Sequence, residues 1–275
     1  MTNKVWLITG ASRGFGAEIS SAVLNSGDRL AATARQARTL DFLGQHENVY
    51  AMDLDVTDED QARNAVAAIV AKFGRVDVLV NNAGYGLLGA VEESSAEEVE
   101  RVYRTNVFGL LNVTRAVLPV MRKQRSGHII NFSSNGGYGA WLGWGVYCST
   151  KFAVEGLTEA LDAELRPLGI RATVVEPGAF RTDFLDSSSL ISTQTRIADY
   201  DETVGKMRDF AGGYNHQQPG DPKKLAMAIV ALANSTEPPL RLPLGTDTLK
   251  LIAEKNAFVQ QETARWQGLA ASTDF

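Results

Sequence analysis

Short runs rich in β-branched and aliphatic residues alternate along the chain with longer stretches whose apolar positions recur every three or four residues. The runs are Val5 to Thr9, Leu30 to Thr33, Val49 to Met52, Val76 to Val80, His128 to Phe132 and Arg171 to Val175. Between them lie amphipathic segments such as Asp58 to Phe73, with Ala62, Ala65, Val66, Ile69 and Val70 at helical spacing. Strand and helix in alternation imply a doubly wound, Rossmann-type α/β fold: a parallel sheet flanked by helices on both faces. No Pro/Gly/Ser-rich linker and no internal repeat divides residues 1–275, so a single domain is expected. The rhythm breaks from Asp183 to Pro219, a polar stretch holding Ser187-Ser188-Ser189 and Gly212-Gly213. An insertion of that length, about 183–220, is expected to be a substrate lid or binding loop, or else disordered. Gly220 to Ala233 then reads as a helix. Leu240 to Leu244 reads as a last strand, its prolines suiting a sheet edge. A C-terminal helical extension is expected over about 246–267.

Composition narrows the classes. At 275 residues, 44% apolar and 21% charged, the chain can bury a sizeable core without disulfides or metals. The net charge of −5 argues against a nucleic-acid partner. Cys148 is the only cysteine, which rules out an intrachain disulfide and suits a reducing, cytoplasmic setting; its expected role is packing beside Tyr147. His46, His128 and His216 lack ligand spacing, so no metal site is expected. Met1-Thr2-Asn3-Lys4 and the four apolar residues after it are too short for a leader core, and no stretch approaches the ~20 apolar residues of a membrane span.

The first strand ends in Thr9-Gly10-Ala11-Ser12-Arg13-Gly14-Phe15-Gly16, and a helix follows. Glycines at 10, 14 and 16 let the backbone turn tightly and come close to a pyrophosphate, which the helix N-terminus attracts. The alternative is a structural turn, but the place between first strand and first helix favours a dinucleotide. At the end of the second strand, Ala31-Ala32-Thr33-Ala34-Arg35 carries no carboxylate for a ribose 2′-hydroxyl. Arg35, with Arg13 from the glycine turn, is instead suited to a 2′-phosphate, so NADP(H) is the expected cofactor.

Tyr147 and Lys151 stand four residues apart and share one helical face. An ammonium near a phenol lowers a pKa that is ordinarily about 10, which makes the pair a candidate general acid/base for a carbonyl or alcohol.

Together these residues resemble the short-chain dehydrogenase/reductase family, in its compact single-domain branch. The matching elements are Thr9-Gly-x-x-x-Gly-x-Gly16, Asn81-Asn82-Ala83-Gly84, Asn106, Ser134, Tyr147-x-x-x-Lys151 and Pro177-Gly178, in the family's order over about Val5 to Thr182. The resemblance implies that Tyr147 is the proton donor in reduction and the base in oxidation. Ser134 would then hydrogen-bond the substrate oxygen, a role that the family spacing gives to it rather than to Ser133. Lys151 would hold the nicotinamide ribose and depress the Tyr147 pKa, and Asn106 would support a water-linked proton path. It implies that Gly10, Ser12, Arg13, Gly14, Phe15 and Gly16 cradle the cofactor, with Asp55 at the adenine, Asn82, Ala83 and Gly84 closing the cleft, and Pro177, Gly178 and Thr182 at the nicotinamide.

Tyr85, Tyr138, Trp141, Trp144, Phe180 and Phe184 flank the catalytic stretch. They line an apolar pocket for a bulky ketone, aldehyde or alcohol, or else they are core and lid packing; both readings stand at this point. The opening and the long C-terminal part are also similar to steroid- and retinol-dehydrogenase-like members, which bears on pocket size. The C-terminal extension departs from the tetrameric members, so a homodimer or monomer is expected. The competing functions are a sugar-nucleotide epimerase or dehydratase, whose Gly-x-x-Gly-x-x-Gly spacing is absent, and a non-catalytic NADP(H) sensor.

Overall fold

The computed structural model describes residues 3–275; Met1 and Thr2, part of the stretch weighed as a leader, lie outside the described residues. In chain order the elements are β1 (Val5–Ile8), α1 (Gly14–Asn25), β2 (Arg29–Ala34), β3 (Val49–Asp53), α2 (Glu59–Phe73), β4 (Val78–Asn81), β5 (Gly86–Leu88), α3 (Ala96–Tyr103), α4 (Leu110–Gln124), β6 (Gly127–Phe132), α5 (Gly145–Leu165), β7 (Ile170–Pro177), β8 (Leu190–Ser192), α6 (Lys206–Tyr214), α7 (Pro222–Asn234), β9 (Arg241–Leu244) and α8 (Thr246–Ala271). Seven strands form one parallel sheet in the order β3-β2-β1-β4-β6-β7-β9. The result is a Rossmann-like single domain, with β9 on the edge its proline suits.

Both faces of the sheet are covered, and strand alternation assigns each residue to one side. Trp6, Ile8, Leu30, Ala32, Val78, Val80 and Ile130 pack against Ile19 and Val23 of α1 and Leu225 and Ile229 of α7. Val5, Leu7, Ala31, Leu79 and Ile129 face the other way, against Ala62, Val66 and Ile69 of α2 and Val113, Val117 and Met121 of α4. A strand buried on both faces reads as a continuous apolar run, which is why these segments stand out in the sequence. Local signals set the helix ends. Asp58 accepts from the Gln61 N–H to cap α2, and Gly74, at φ 82°, ends it. Ser95 and Glu98 form a reciprocal capping box on α3.

The chain leaves β1 for β2 and β3 on one side, then crosses back to β4 on the other. The crevice at the C-terminal ends of β1 and β4 is where such sheets bind ligands. The polar insertion is ordered into short pieces. Its β8 pairs in parallel with β5, Gly86 opposite Leu190 and Leu88 opposite Ser192. Buried Glu93 accepts from the Ile197 N–H and buried Glu98 from the Gln194 N–H, fixing the stretch that follows. The C-terminal helix runs to Ala271, four residues past the expected end, and of its 26 residues only Thr248 is buried.

Candidate active site

A cleft of about 790 Å³ opens at the crevice. One end is built by the glycine turn. Gly10 has φ 65° and Gly14 φ 53°, the left-handed region that glycine enters freely. A Cβ on Gly10 would lie 2.9 Å from Ala83 Cα, and one on Gly16 would collide with the Gly10 carbonyl. Asn82 locks the turn from the side: its Nδ2 donates to the carbonyls of Thr9 and Gly10, each at 3.0 Å, while Thr9 Oγ1 accepts from the N–H groups of Asn82 and Ala83. No side chain caps α1, and its first turn holds no carboxylate, so its N–H groups and positive dipole end face the cleft. These are the features a dinucleotide pyrophosphate requires, and the residues fit it.

Ser12, Arg13, Phe15, Arg35, Asp55, Asn82, Ala83, Gly84, Pro177, Gly178 and Thr182 all line this cleft, with Gly10 and Gly14. Arg35 is exposed and engages no carboxylate among the described residues. Arg13 is turned toward the insertion, donating to Ser189 Oγ at 3.0 Å and to the Ser188 carbonyl at 2.5 Å. Asp55 has one oxygen committed to Thr57, 2.9 Å from its N–H and 2.8 Å from its hydroxyl. Thr182 Oγ1 accepts from the Phe184 N–H and packs beside Gly14.

The other wall carries Ser134, Tyr147 and Lys151. Strand β6 ends at Phe132, whose carbonyl accepts from Lys151 Nζ at 2.9 Å. That ammonium also lies 5.7 Å from the centre of the Tyr147 ring. Ser134 caps the turn after β6, accepting from the Gly136 N–H at 3.0 Å and donating to Asn135 Oδ1 at 3.1 Å, and the Tyr147 ring lies on the other side of Gly136. Ser133 points away, toward the Lys151 carbonyl on α5. Asn106 sits in a π-helical turn, Arg104–Gly109, between α3 and α4. Its amide is held by the N–H and carbonyl of Tyr85 and by Thr150 Oγ1, and it meets Lys151 across Gly84.

The acidity of this group differs from expectation. Burial pushes the Tyr147 phenol above its ordinary value, with Ser134 only partly offsetting it. Lys151 is itself pulled down to about 8 by burial, against the pull of Glu155. Both side chains are less than a tenth exposed, so the cost of desolvating charge outweighs the attraction on which the sequence argument relied.

The aromatic residues divide. Trp144 meets the Tyr147 ring edge-on at 5.7 Å and stacks on Phe184 at 6.4 Å, and Phe184 lies 5.6 Å from Tyr147. Trp141 and Tyr85 line the cleft nearby. Phe180 borders the cleft but packs edge-on against Phe15 at 5.4 Å, beneath the glycine turn. Tyr138 does not reach the cleft: its hydroxyl pairs with Asn256 of α8 and its ring lies under the Arg241 guanidinium. Sequence proximity misplaced it because the turn at Asn135–Gly137 swings the chain outward before α5 begins. Leu185, Met207, Phe210, Ala211, Tyr214 and Gln218 line the cleft from the insertion and were not foreseen. They are spread through a polar stretch with no periodic signal.

A family model described as short chain dehydrogenase matches residues 4–190. Among curated proteins the chain is 37% identical to oxidoreductase BOA17 of Botryotinia fuckeliana, covering 98% of this chain and 99% of that one. It is 36% identical to a 3-ketodihydrosphingosine reductase of Bacteroides thetaiotaomicron, covering 94% of each. Among solved structures, a short-chain dehydrogenase from Streptomyces avermitilis superposes over 100% of both chains, with a TM-score of 0.92 and 40% identity. ElxO with NADP bound is 30% identical at a TM-score of 0.75, over 90% of this chain and all of that one. A Burkholderia phymatum member in complex with NAD is 25% identical at 0.82, over 94% and 95%.

Proposed function

The chain belongs to the short-chain dehydrogenase family, and from that premise we propose that it is an NADP(H)-dependent oxidoreductase interconverting a ketone or aldehyde and its alcohol. The observation that carries the reading is the placing of Ser134, Tyr147 and Lys151 on one wall of a cleft whose other end is the glycine cradle. A nicotinamide bound there supplies the hydride. The protein's task is to place a carbonyl carbon and manage the charge that grows on its oxygen. Tyr147, with its pKa raised by burial, keeps its proton at neutral pH and so stands ready to donate it. Ser134 hydrogen-bonds the same oxygen. The buried Lys151 ammonium stabilises the phenolate left behind. In the oxidative direction the same groups act in reverse.

NADP(H) is favoured over NAD(H) by Arg35 at the rim and by the absence of a carboxylate from residue 31 to residue 35. A bulky, apolar substrate is favoured by the wall of Trp144, Phe184, Leu185 and Met207, and by the relative named as a 3-ketodihydrosphingosine reductase. An epimerase or dehydratase finds no support in the glycine spacing. A homodimer fits the half-exposed Phe108 beside α4 and Phe152 on α5, and a cytoplasmic setting fits the single cysteine, Cys148, which is free. The deciding assay follows NADPH absorbance across a panel of aliphatic, aromatic and long-chain carbonyl compounds. Turnover of apolar ketones or aldehydes is expected; nucleotide binding without turnover of any member would leave only the sensor reading.

A further inference from the structure

Behind Lys151 lies a cluster of charge that the reaction above does not use. Arg241 of β9 contacts three carboxylates: Glu155 and Glu159 of α5, and Glu176 of β7 at 2.7 Å. Glu155 and Glu176 are 5% and 0% exposed. Arg241 takes one oxygen of each. The other two, Glu155 Oε1 and Glu176 Oε2, are buried with no hydrogen-bond partner among the described residues, and the two carboxyl groups are brought together on the same Arg241 Nη1.

Two buried carboxylates side by side cannot both ionise cheaply, and one guanidinium shared with Glu159 does not neutralise three anions. A single proton on the pair removes one of its two charges. Glu155 is also one helical turn beyond Lys151 on the same face of α5, and it is the carboxylate that holds the Lys151 ammonium charged against burial.

We propose that Glu155 and Glu176 hold one proton between them, and that this pair, clamped by Arg241, sets how firmly Lys151 keeps its charge. Both act through Lys151 and are positioning residues. With one proton on the pair, two negative charges remain to face Arg241 and Lys151, and the cluster is neutral. Burial raises the Glu155 carboxyl toward the neutral range, where that balance changes with pH. The groups facing the pair are Arg241, Glu159, Lys151, the Ser133 hydroxyl and, across Arg241, the Tyr138 ring. Lys151 itself faces Tyr147 and Glu155, with uncharged Asn106 and Gly84 on the remaining side.

The role through Lys151 rests on the reductase reading, but its test does not require turnover. Infrared spectra of the full-length protein without nucleotide, from about pH 5 to about pH 9, report a buried protonated carboxyl by its C=O stretch. The wild type is expected to show one such band near pH 6, lost as the pH rises. Glu155→Gln and Glu176→Gln are each expected to abolish it, because the carboxylate left behind pairs with Arg241 and ionises. A wild type without the band, or either variant keeping it, overturns the shared proton. In parallel, NMR of ¹³Cε-labelled lysine follows the Lys151 titration, with the resonance assigned by its loss in Lys151→Met. Its midpoint is expected to fall by about half a unit or more in Glu155→Gln; an unchanged midpoint overturns the link to Lys151. If Glu155→Gln does not fold, the wild-type and Glu176→Gln spectra still decide the shared proton. A protein that shows both signals yet reduces no carbonyl compound would retire the functional reading and leave this one standing.

Discussion

At the scale of single side chains, the proposed chemistry rests on Tyr147 being dry and protonated rather than solvated and acidic. Tyr147→Phe removes one hydroxyl from a wall that Trp144 and Phe184 hold in place. Turnover is expected to fall by about 10²-fold or more, while NADPH affinity, read by fluorescence titration, stays within about twofold of wild type. Wild-type turnover in that variant would end the proposed mechanism. Arg35→Asp is expected to raise the KM for NADPH far more than that for NADH, since Arg35 is exposed at the rim and has no carboxylate partner among the described residues; equal effects on both would remove the cofactor assignment. Most of this inventory was legible in the sequence because motif spacing carries it: Gly10, Gly14 and Gly16, then Asn82, Ser134, Tyr147 and Lys151. What spacing does not carry is environment. The four-residue step from Tyr147 to Lys151 gives their proximity, but not that both are buried, and burial reverses the expected direction of the phenol's shift. Nor does spacing bring Arg241 to Glu155, 86 residues earlier in the chain.

At the scale of elements, the sheet strands were foreseen to within one or two residues, the central ones because burial on both faces leaves a nearly unbroken apolar run. Buried polar residues interrupt that logic, and His128 is one of them. His128, 7% exposed near the start of β6, has its Nε2 2.9 Å from Thr173 Oγ1 on β7. Burial lowers its pKa to about 4. A histidine depressed in the fold favours the folded state fully above its unfolded value of about 6.5. That contribution is lost as the pH falls toward 4, at a cost approaching about 3 kcal/mol. The urea midpoint is therefore expected to drop between about pH 6.5 and pH 4, and to drop less in His128→Gln, whose amide meets Thr173 without taking a charge. A parallel pH profile in the variant would assign the loss to other groups. The strands that escaped notice, β5 and β8, are three residues each and pair across about a hundred residues of sequence. Each is too short to show a strand pattern of its own, so only the tertiary contact creates them.

At the scale of the whole molecule, the crossover between β1 and β4 puts every recognised motif at one end of the sheet, and the insertion folds over that end. The general plan was therefore readable from the alternation of strand and helix, whereas the cover was not. It is assembled from separated pieces: the Ser188–Ser189 corner held by Arg13, β8 on β5, the Glu93 and Glu98 anchors, and α6 bearing Met207 and Ala211. Arg208, almost fully buried, reaches from α6 to Glu93 and ties the last of these to the body. A stretch this polar invites digestion, yet its middle is stitched into a ladder and onto two interior carboxylates. Brief subtilisin treatment is accordingly expected to spare residues 190–197 and to nick first around Gly212 to Gln217, where exposed glycines and the left-handed His216 leave the backbone within a protease's grasp.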